Sequence, residues 1–383
     1  MATGSVALGV AALIVTLAVM SGFRDDIRSK ILGVQPHVMI SAAIDTLDPS
    51  DPSIAQILGN DSNVAAWSPY VMNQVLIGRR SQSSGAMLKG VDAAREPDVA
   101  NVREKLDQAI WSDLEGKTTT KPAIFLGQEL ARNIGARKGD TVWMMVPSSL
   151  GQAAFSVPKA HTFEVAGFVQ TGLYDYDSSL TYINITEAQK MFGYGRNASG
   201  VGVRLKNPER AEDSAKKLQM DFEGRYWVRS WLSLNKNLFS ALKLEKTVMF
   251  IILTMVTLVS SFMIVSNLLL IITQKVREIG ILRAMGAPSS FIRSLFLYQG
   301  TIMGLLGTAI GVAIGIGVSL ILANTNLIQL PADVYYIDKL PIKLDPLDIT
   351  VVVLAAIAIV FIATLFPAKK ATDIDPIEAI RYG

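Results

Sequence analysis

The sequence predicts an α-helical membrane protein with four transmembrane helices and a large mixed α+β domain outside the cytoplasm, between helices 1 and 2. The first observation is composition, because half of the 383 residues are hydrophobic, more than an ordinary soluble domain carries. The second is distribution, because these residues form four long uncharged runs. The third is a long polar stretch, residues 24–246, between the first two runs, which is large enough to fold as a domain.

The four apolar runs are expected to be membrane-spanning helices. A spanning helix needs about 20 apolar residues, and its backbone groups must bond to each other because hydrocarbon offers no other partners. Buried helices of a soluble protein are the alternative, but four such runs in one chain argue against it. The predicted spans are residues 1–23, 247–273, 294–323 and 349–367.

The first run is expected to be an uncleaved span and not a signal peptide. A signal peptide carries basic residues before its apolar run and a site of small residues after it. Here no Lys or Arg precedes Arg24, and the run ends in Met20-Ser21-Gly22-Phe23, which is a poor cleavage site.

Lys and Arg in the short loops predict the orientation of the chain in the membrane, because short loops rich in these residues stay in the cytoplasm. The segments 274–293 and 368–383 both carry clusters of Lys and Arg, so both are expected in the cytoplasm together with the N-terminus. The segments 24–246 and 324–348 are then expected outside. The basic residues concerned are Lys275, Arg277, Arg283, Arg293, Lys369, Lys370 and Arg381.

The segment outside the cytoplasm shows both strand and helix patterns. Residues 230–246 are expected to form an amphipathic stalk helix that continues into span two, because Trp231, Leu234, Leu238 and Leu242 recur at helical spacing. The alternative is a helix lying on the lipid surface. Strands are expected over residues 37–40, 141–146, 162–169, 180–185 and 200–205, and helices over 124–134, 186–192 and 208–222.

The sequence offers little material for a catalytic or metal site. Cys is absent and His occurs only at positions 37 and 161. Gly116-Lys117-Thr118 resembles the end of a phosphate-binding loop, but Trp111 stands where that motif needs a Gly. A net charge of +3 gives no argument for nucleic acid. We therefore expect no catalytic residue, no metal and no directly bound cofactor, so that any energy source is another subunit.

Glycines recur every three or four residues in the third predicted span. Small residues at this spacing let helix backbones approach closely. The close approach can serve packing within this chain or packing against a second membrane subunit, and the sequence favours neither. The glycines are Gly300, Gly304, Gly307, Gly311 and Gly315.

Two segments carry a specific resemblance. Residues 274–287 read QKVREIGILRAMGA, and the tail reads FPAKKA at 366–371 and DPIEAIRYG at 375–383. They resemble the coupling helix and closing motif of the FtsX/MacB-like permeases, the membrane subunits of mechanotransmitting ABC systems. Within that superfamily the chain is most similar to lipoprotein-releasing permeases of LolC/LolE type. Residues 335–341 are nearer LolE, whereas 378–382 are nearer LolC.

The resemblance implies a multi-pass protein of the bacterial inner membrane with a periplasmic domain, and it implies partners. A cytoplasmic ATPase of LolD type, which binds ATP and Mg, is expected to hold two permease subunits, identical or homologous. Lipoproteins held by their acyl chains between the spans are expected to pass to a periplasmic carrier of LolA type. Relatives begin with a basic cytoplasmic segment, which leaves open whether the N-terminus is complete. A MacB-type efflux permease and an FtsX-type regulator of a cell-wall hydrolase are the alternatives.

Residues 274–293 are expected to dock on the ATPase. Charged side chains can grip a partner, and the apolar Ile279 and Leu282 can seat in its groove. An ordinary basic loop at the lipid headgroups is the alternative. The expected coupling residues are Lys275, Arg277, Glu278, Ile279, Leu282, Arg283 and Gly286.

Residues 147–161 are expected to form a protruding hairpin that captures the carrier. The flanking runs are predicted to be paired strands, and the intervening segment exceeds the usual hairpin loop of about 2 to 5 residues. In LolC-like relatives the corresponding hairpin is a hook that grips the carrier. A loop packed on its own domain is the alternative. The expected hook residues are Pro147, Leu150, Phe155, Val157, Pro158 and Lys159.

The acyl chains are expected to bind in a cavity lined by spans one and two. Such a cavity must be apolar and adaptable, and Met fills irregular apolar space. Packing or lipid-facing positions are the alternative for any one of these residues. The expected cavity residues are Met20, Phe23, Met249, Met255 and Met263.

Overall fold

In the computed structural model, the described residues are 2–42, 46–107, 110–115, 121–146, 160–325 and 340–373. The chain divides into two units. Met1–Asp26 and Ser240–Gly383 form one of them, which we call the helical unit, and Ile27–Phe239 form the other, which we call the α/β unit.

Twelve α-helices lie within the described ranges. Four of them, α1, α9, α11 and α12, are long and apolar enough to cross a membrane, as the four apolar runs predicted. The helices are α1 (Ala2–Val34), α2 (Pro52–Asn60), α3 (Glu96–Val99), α4 (Gln128–Asn133), α5 (Tyr174–Asp177), α6 (Ile185–Phe192), α7 (Ala211–Asp221), α8 (Trp231–Leu234), α9 (Lys236–Gln274), α10 (Val276–Ala284), α11 (Ser289–Asn324) and α12 (Pro346–Lys370), with 3-10 helices at Asn101–Lys105, Trp111–Glu115, Pro208–Arg210 and Ala371–Asp373.

One mixed sheet organises the α/β unit. Its order is β10-β1-β9-β2-β3-β8-β5-β7-β4, and β6 joins it by pairing with β2 and β7. Strand β8 runs parallel to β3, and β7 runs parallel to β5, whereas the other pairs are antiparallel. The strands are β1 (Val38–Ala42), β2 (Val64–Arg79), β3 (Gln82–Val91), β4 (Leu106–Asp107), β5 (Ala123–Gly127), β6 (Thr141–Met145), β7 (Ala160–Val169), β8 (Leu180–Asn184), β9 (Gly200–Leu205) and β10 (Tyr226–Ser230).

The five predicted strands correspond to β1, β6, β7, β8 and β9. The helix predicted over 124–134 is wrong in its first half, where β5 lies fully buried between β7 and β8. A short run of apolar residues is compatible with a buried strand as well as with a helix, and periodicity alone does not separate them. Only the second half of that segment is helical, as α4.

In the helical unit, α1 lies inside the bundle and α9 lies at its surface. Of the most apolar window of α1, 61% is buried, against 17% for α9. The glycines of α11 let α1 and α12 pack closely against this helix. A Cβ at Gly311 would lie 2.6 Å from the carbonyl oxygen of Ala7, and a Cβ at Gly304 would lie 2.2 Å from Cγ1 of Val360 in α12. The glycine series therefore serves packing within this chain, which decides between the two alternatives.

The helices extend beyond the predicted apolar spans. Helix α1 continues past residue 23 to Val34, and α9 runs without interruption from Lys236 to Gln274. The predicted stalk helix is continuous with span two from Lys236 onward. It is broken at Asn235, whose Nδ2 donates to the carbonyl of Trp231 over 2.8 Å. The residues that flank the apolar runs continue the helices, so apolarity alone misplaces the helix ends.

Candidate functional site

The segment expected to bind the ATPase contains a short helix, α10, which follows α9 after Lys275. Gly286 closes its C-terminus with φ at +96°. The N–H of Ala287 donates to the carbonyl of Leu282 over 3.0 Å, and the N–H of Gly286 donates to that of Arg283 over 3.0 Å. This is the Schellman pattern, which favours a glycine in the left-handed conformation. Gly286 therefore has a structural role in ending α10.

One side of α10 is buried within the helical unit. Ile279 is only 4% exposed and belongs to the same apolar cluster as Ile272 and Ile292. Ile279 was expected to seat in a groove of the partner, but in this structure it is unavailable for that contact. It anchors α10 to the bundle instead.

The other side of α10 exposes apolar side chains. Ile281, Leu282 and Met285 are 45%, 40% and 79% exposed. Of these three, only Leu282 was predicted from the sequence. Ile281 and Met285 are four residues apart and therefore share a face of the helix, a spacing that could have revealed them. An exposed apolar cluster of this kind is typical of a binding surface.

Charged side chains accompany this apolar cluster. Arg277 and Glu278 are exposed, and Glu278 forms an ion pair with Lys275 within the first turn of α10. Arg283 instead points toward the chain after α12, where its Nη1 donates to the carbonyl of Thr372 over 2.9 Å. The structure therefore brings the predicted coupling helix into contact with the residue that follows the FPAKKA part of the tail motif.

The predicted acyl-chain residues lie on two helices and do not share one environment. Met20 and Phe23 on α1 and Met249 on α9 are partly buried. Met255 and Met263, also on α9, are 59% and 56% exposed. These two side chains consequently face outward from the chain. A cleft elsewhere in the helical unit, lined by residues including Ile14, has a volume of about 10 Å³, which suits one water and not an acyl chain.

The predicted hook residues 147–159 lie outside the described residues. The strands that flank them are paired as expected, with Met145 of β6 opposite Ala160 of β7. Strand β6 also pairs with β2, where Trp143 lies opposite Gly78. A Cβ at Gly78 would lie 2.4 Å from Cζ2 of Trp143, so the glycine makes room for the indole. The base of the hairpin is thus fixed on two sides.

An apolar cleft that the sequence analysis missed lies beside this base. It has a volume of about 430 Å³ and its lining includes Leu76, Met87 and Ser179. Leu76 is 38% exposed and lies opposite Met145 in the β2–β6 pair. The cleft was not predicted because Leu76 and Met87 lie on β2 and β3, and neither strand was predicted from the sequence.

His37, Lys89 and Glu96, three buried ionisable residues of the α/β unit, are engaged in structural contacts. Burial lowers the pKa of His37 from 6.5 to about 4, with a further lowering by Arg204, and its Nδ1 accepts the N–H of Leu205 over 3.1 Å. Lys89 and Glu96, both buried, form an ion pair of 2.6 Å. Within the described ranges, no group of three or more His, Cys, Asp and Glu residues is arranged to hold a metal ion.

Known proteins are similar to this chain over nearly its whole length. Residues 250–376 match the family model of the FtsX-like permease C-terminal region, and residues 1–220 match that of the MacB-like periplasmic core domain. Three relatives carry the names of lipoprotein-releasing system transmembrane proteins. LolC of Neisseria meningitidis serogroup B is 33% identical to this chain, and LolC of Xylella fastidiosa strain Temecula1 is 34% identical. LolE of Haemophilus influenzae is 28% identical. Each of the three alignments covers 98% of this chain and 92% of the relative.

Proposed function

Because the chain belongs to the LolC/LolE family of lipoprotein-releasing permeases, within the FtsX/MacB-like permeases, we propose that it extracts lipoproteins from the bacterial inner membrane. It does so as the permease subunit of an ATP-driven complex and hands the lipoproteins to a periplasmic carrier. The observation that carries this proposal is 33–34% identity to LolC proteins over 98% of the chain. Full-length likeness favours lipoprotein release over MacB-type efflux and over FtsX-type regulation of a hydrolase.

In this proposal α1, α9, α11 and α12 cross the membrane, and the α/β unit is the periplasmic domain between α1 and α9. Both termini lie in the cytoplasm. Support comes from Lys275, Arg277 and Arg283 around α10 and from Lys369 and Lys370 at the end of α12, because basic residues next to spans favour the cytoplasmic side.

The proposed contact with the ATPase is the exposed side of α10. Ile281, Leu282 and Met285 supply apolar area, and Arg277 and Glu278 supply charge. Apolar side chains at the centre of a contact and charges at its rim are the usual composition of a protein interface. ATP and Mg then bind to the separate ATPase, and this chain takes part in no chemical step.

A second permease subunit, identical or homologous, completes the complex in this proposal. The glycines of α11 are used for packing within this chain, so the partner must contact other surfaces. The exposed side of α9 is the candidate surface, because its apolar window is the least buried of the four long helices, at 17%. Lipoprotein acyl chains would then lie against the same helix, where Met255 and Met263 face outward and adapt to flexible chains.

The substrate proposal has a direct test. Photo-crosslinking residues at Met255 and Met263 should capture lipoprotein before ATP is added, and so should one at Met20. Labelling by bulk phospholipid alone at Met20, Met255 and Met263 would refute the acyl-chain assignment.

The proposed carrier site combines the β6–β7 hairpin with the apolar cleft that contains Leu76 and Met87. Deletion of residues 150–157 should abolish carrier binding and leave membrane insertion and basal ATPase activity unchanged. Leu76→Asp should weaken the same binding, whereas Met220→Asp, at an exposed position on α7, should not. Unchanged carrier affinity in the deletion would rule out the hairpin.

Copurification separates the candidate functions. The tagged permease should retain a cytoplasmic ATPase and a soluble lipoprotein carrier. Retention of an outer-membrane channel would favour efflux, and retention of a cell-wall hydrolase would favour the regulatory function.

A further inference from the structure

Three polar side chains from three apolar helices meet at one end of the helical unit. Nζ of Lys246 in α9 donates to both carboxylate oxygens of Asp348 in α12, at 2.7 Å each. Oγ of Ser21 in α1 donates to Oδ2 of Asp348 over 2.9 Å, and Lys246 lies 3.3 Å from the same Ser21 hydroxyl. We call these three residues the polar cluster.

The polar cluster is largely shielded from solvent. Ser21 is 2% exposed, and the side chains of Lys246 and Asp348 are 22% and 14% exposed. Asp348 lies in the first turn of the long helix α12, where the helix dipole favours a carboxylate. A shielded ion pair is screened by salt less than a surface pair is. The attraction between Lys246 and Asp348 therefore persists at physiological salt.

Helices α1 and α12 are also joined at this place without Lys246. A Cβ at Gly22 would lie 2.2 Å from the carbonyl oxygen of Pro341, so the glycine lets the chain before α12 cross α1 closely. The N–H of Lys343 donates to the carbonyl of Ala18 over 3.0 Å, and its Nζ pairs with Asp25 over 3.0 Å. The position of α12 against α1 thus depends on several contacts.

Helix α9 has fewer attachments in the same region. No residue of α9 from Lys236 to Val256, a fully described stretch, is fully buried. Phe250 and Leu253 pack partly against the bundle, and the buried positions of α9 begin at Thr257. Among the described residues, Lys246 makes the side-chain hydrogen bonds that hold residues 240–256 of α9 to α1 and α12.

We propose that the polar cluster is a latch that makes α1 and α12 follow the movement of α9. This inference rests on the proposed function, in which ATP-driven movement enters at α10, directly after α9. With the latch closed, residues 240–256 of α9 carry α1 and α12 with them. With the latch broken, α9 moves alone and hydrolysis is uncoupled from release. Ser21, Lys246 and Asp348 are positioning residues in this account.

Charge variants test the coupling. Asp348→Asn and Lys246→Met are reconstituted in the full complex with the ATPase, and ATP hydrolysis and lipoprotein release are measured in the same sample. Lipoprotein released per ATP should fall about tenfold, because the pair is lost, whereas hydrolysis stays within about twofold.

The reversed pair, Lys246→Asp with Asp348→Lys, should restore part of the release. Lys343→Met, which removes the exposed ion pair with Asp25, is the control and should change neither quantity. Release and hydrolysis falling together, or neither changing, would overturn the latch.

A distance measurement tests the latch without any lipoprotein. The chain has no Cys, so cysteines introduced at Leu244 and Leu347, which are 65% and 68% exposed, accept spin labels beside the cluster. The distance distribution should be narrow in the otherwise unaltered permease and broader and longer with Asp348→Asn, but unchanged with Lys343→Met. Identical distributions with and without Asp348→Asn would overturn the latch. If the distances change as expected but the unaltered permease releases no lipoprotein, the proposed function fails and the latch stands.

Discussion

The guanidinium of Arg283 donates a hydrogen bond to the carbonyl of Thr372 over 2.9 Å and so joins α10 to the chain after α12. Thr372 belongs to the 3-10 helix Ala371–Asp373, in which Ala371 is fully buried. On its other side α10 is held by the buried Ile279. The short helix is therefore attached to the bundle at two points, and force applied to its exposed side can reach both α9 and α12.

Loss of the Arg283 bond should loosen α10. A hydrogen bond from a charged group contributes about 1.5–3 kcal/mol, so Arg283→Met should raise amide hydrogen exchange in residues 276–284. Arg277→Met, at an exposed position of the same helix, is the matched control and should leave exchange unchanged. Equal exchange in both variants would show that the bond to Thr372 does not hold α10.

The exposed apolar residues of α10 should dominate ATPase binding. Ile281→Asp combined with Met285→Asp should weaken binding about 30-fold or more, the loss typical of residues at the centre of an interface. Ser289→Asp combined with Ser290→Asp adds the same charge in the first turn of α11, where the helix dipole tolerates it, and should have little effect. Copurification with the ATPase, and titration of the permease with the ATPase, measure the binding of each variant. Normal binding of the double variant would exclude this surface.

The packing of α11 on α1 should depend on Gly311. Overpacking of a tight contact costs about 1–3 kcal/mol, and a Cβ here meets the backbone of α1 at 2.6 Å. Gly311→Val should lower the melting temperature of the purified permease. Gly317→Val is the control, because a Cβ at Gly317 meets nothing within 4 Å. If the two variants melt alike, the close contact between α1 and α11 is not present.

His37 should make the α/β unit less stable in acid. Burial and Arg204 lower its folded-state pKa from 6.5 to about 4, so between these values the unfolded chain binds the proton preferentially. The contribution of His37 to stability is therefore complete above about pH 6.5 and is lost as the pH falls toward about 4, by up to about 3 kcal/mol.

His37→Gln keeps an acceptor for the N–H of Leu205 and removes the titration. This variant should lose less stability than the unaltered chain when melting is compared at about pH 7.5 and about pH 5. His161→Gln, at a partly exposed position of β7, is the control. An unchanged pH dependence with His37→Gln would contradict the assignment.

The sequence predicted the membrane helices well, because long uncharged runs have few other structural explanations. It was weaker in the sheet. Strands β2 and β3 pair from Tyr70–Val91 to Arg79–Gln82, but the turn between them carries Arg80 at φ +54°. Gly or Asn usually occupies such a position in a tight hairpin, so the turn gave no recognisable signal. The cleft lined by Leu76 was missed for the same reason.

The predicted coupling residues were only partly informative about the coupling surface. Charged and apolar residues in the sequence identified the segment that forms α10. Which of its side chains are exposed depends on how α10 is oriented against the bundle. Ile279 is buried because it packs with residues such as Ile292. The polar cluster had no sequence signal at all. Ser21, Lys246 and Asp348 are far apart in the chain, and only the packing of three helices brings them together.

ATP-dependent transfer of a labelled lipoprotein from proteoliposomes to its soluble carrier is the most direct test of lipoprotein release by this permease. With the permease, its partner subunit and the ATPase present, lipoprotein should move to the carrier only when ATP is hydrolysed. The carrier without ATP should receive none. Absence of transfer from a complex that hydrolyses ATP and binds the carrier would contradict the account.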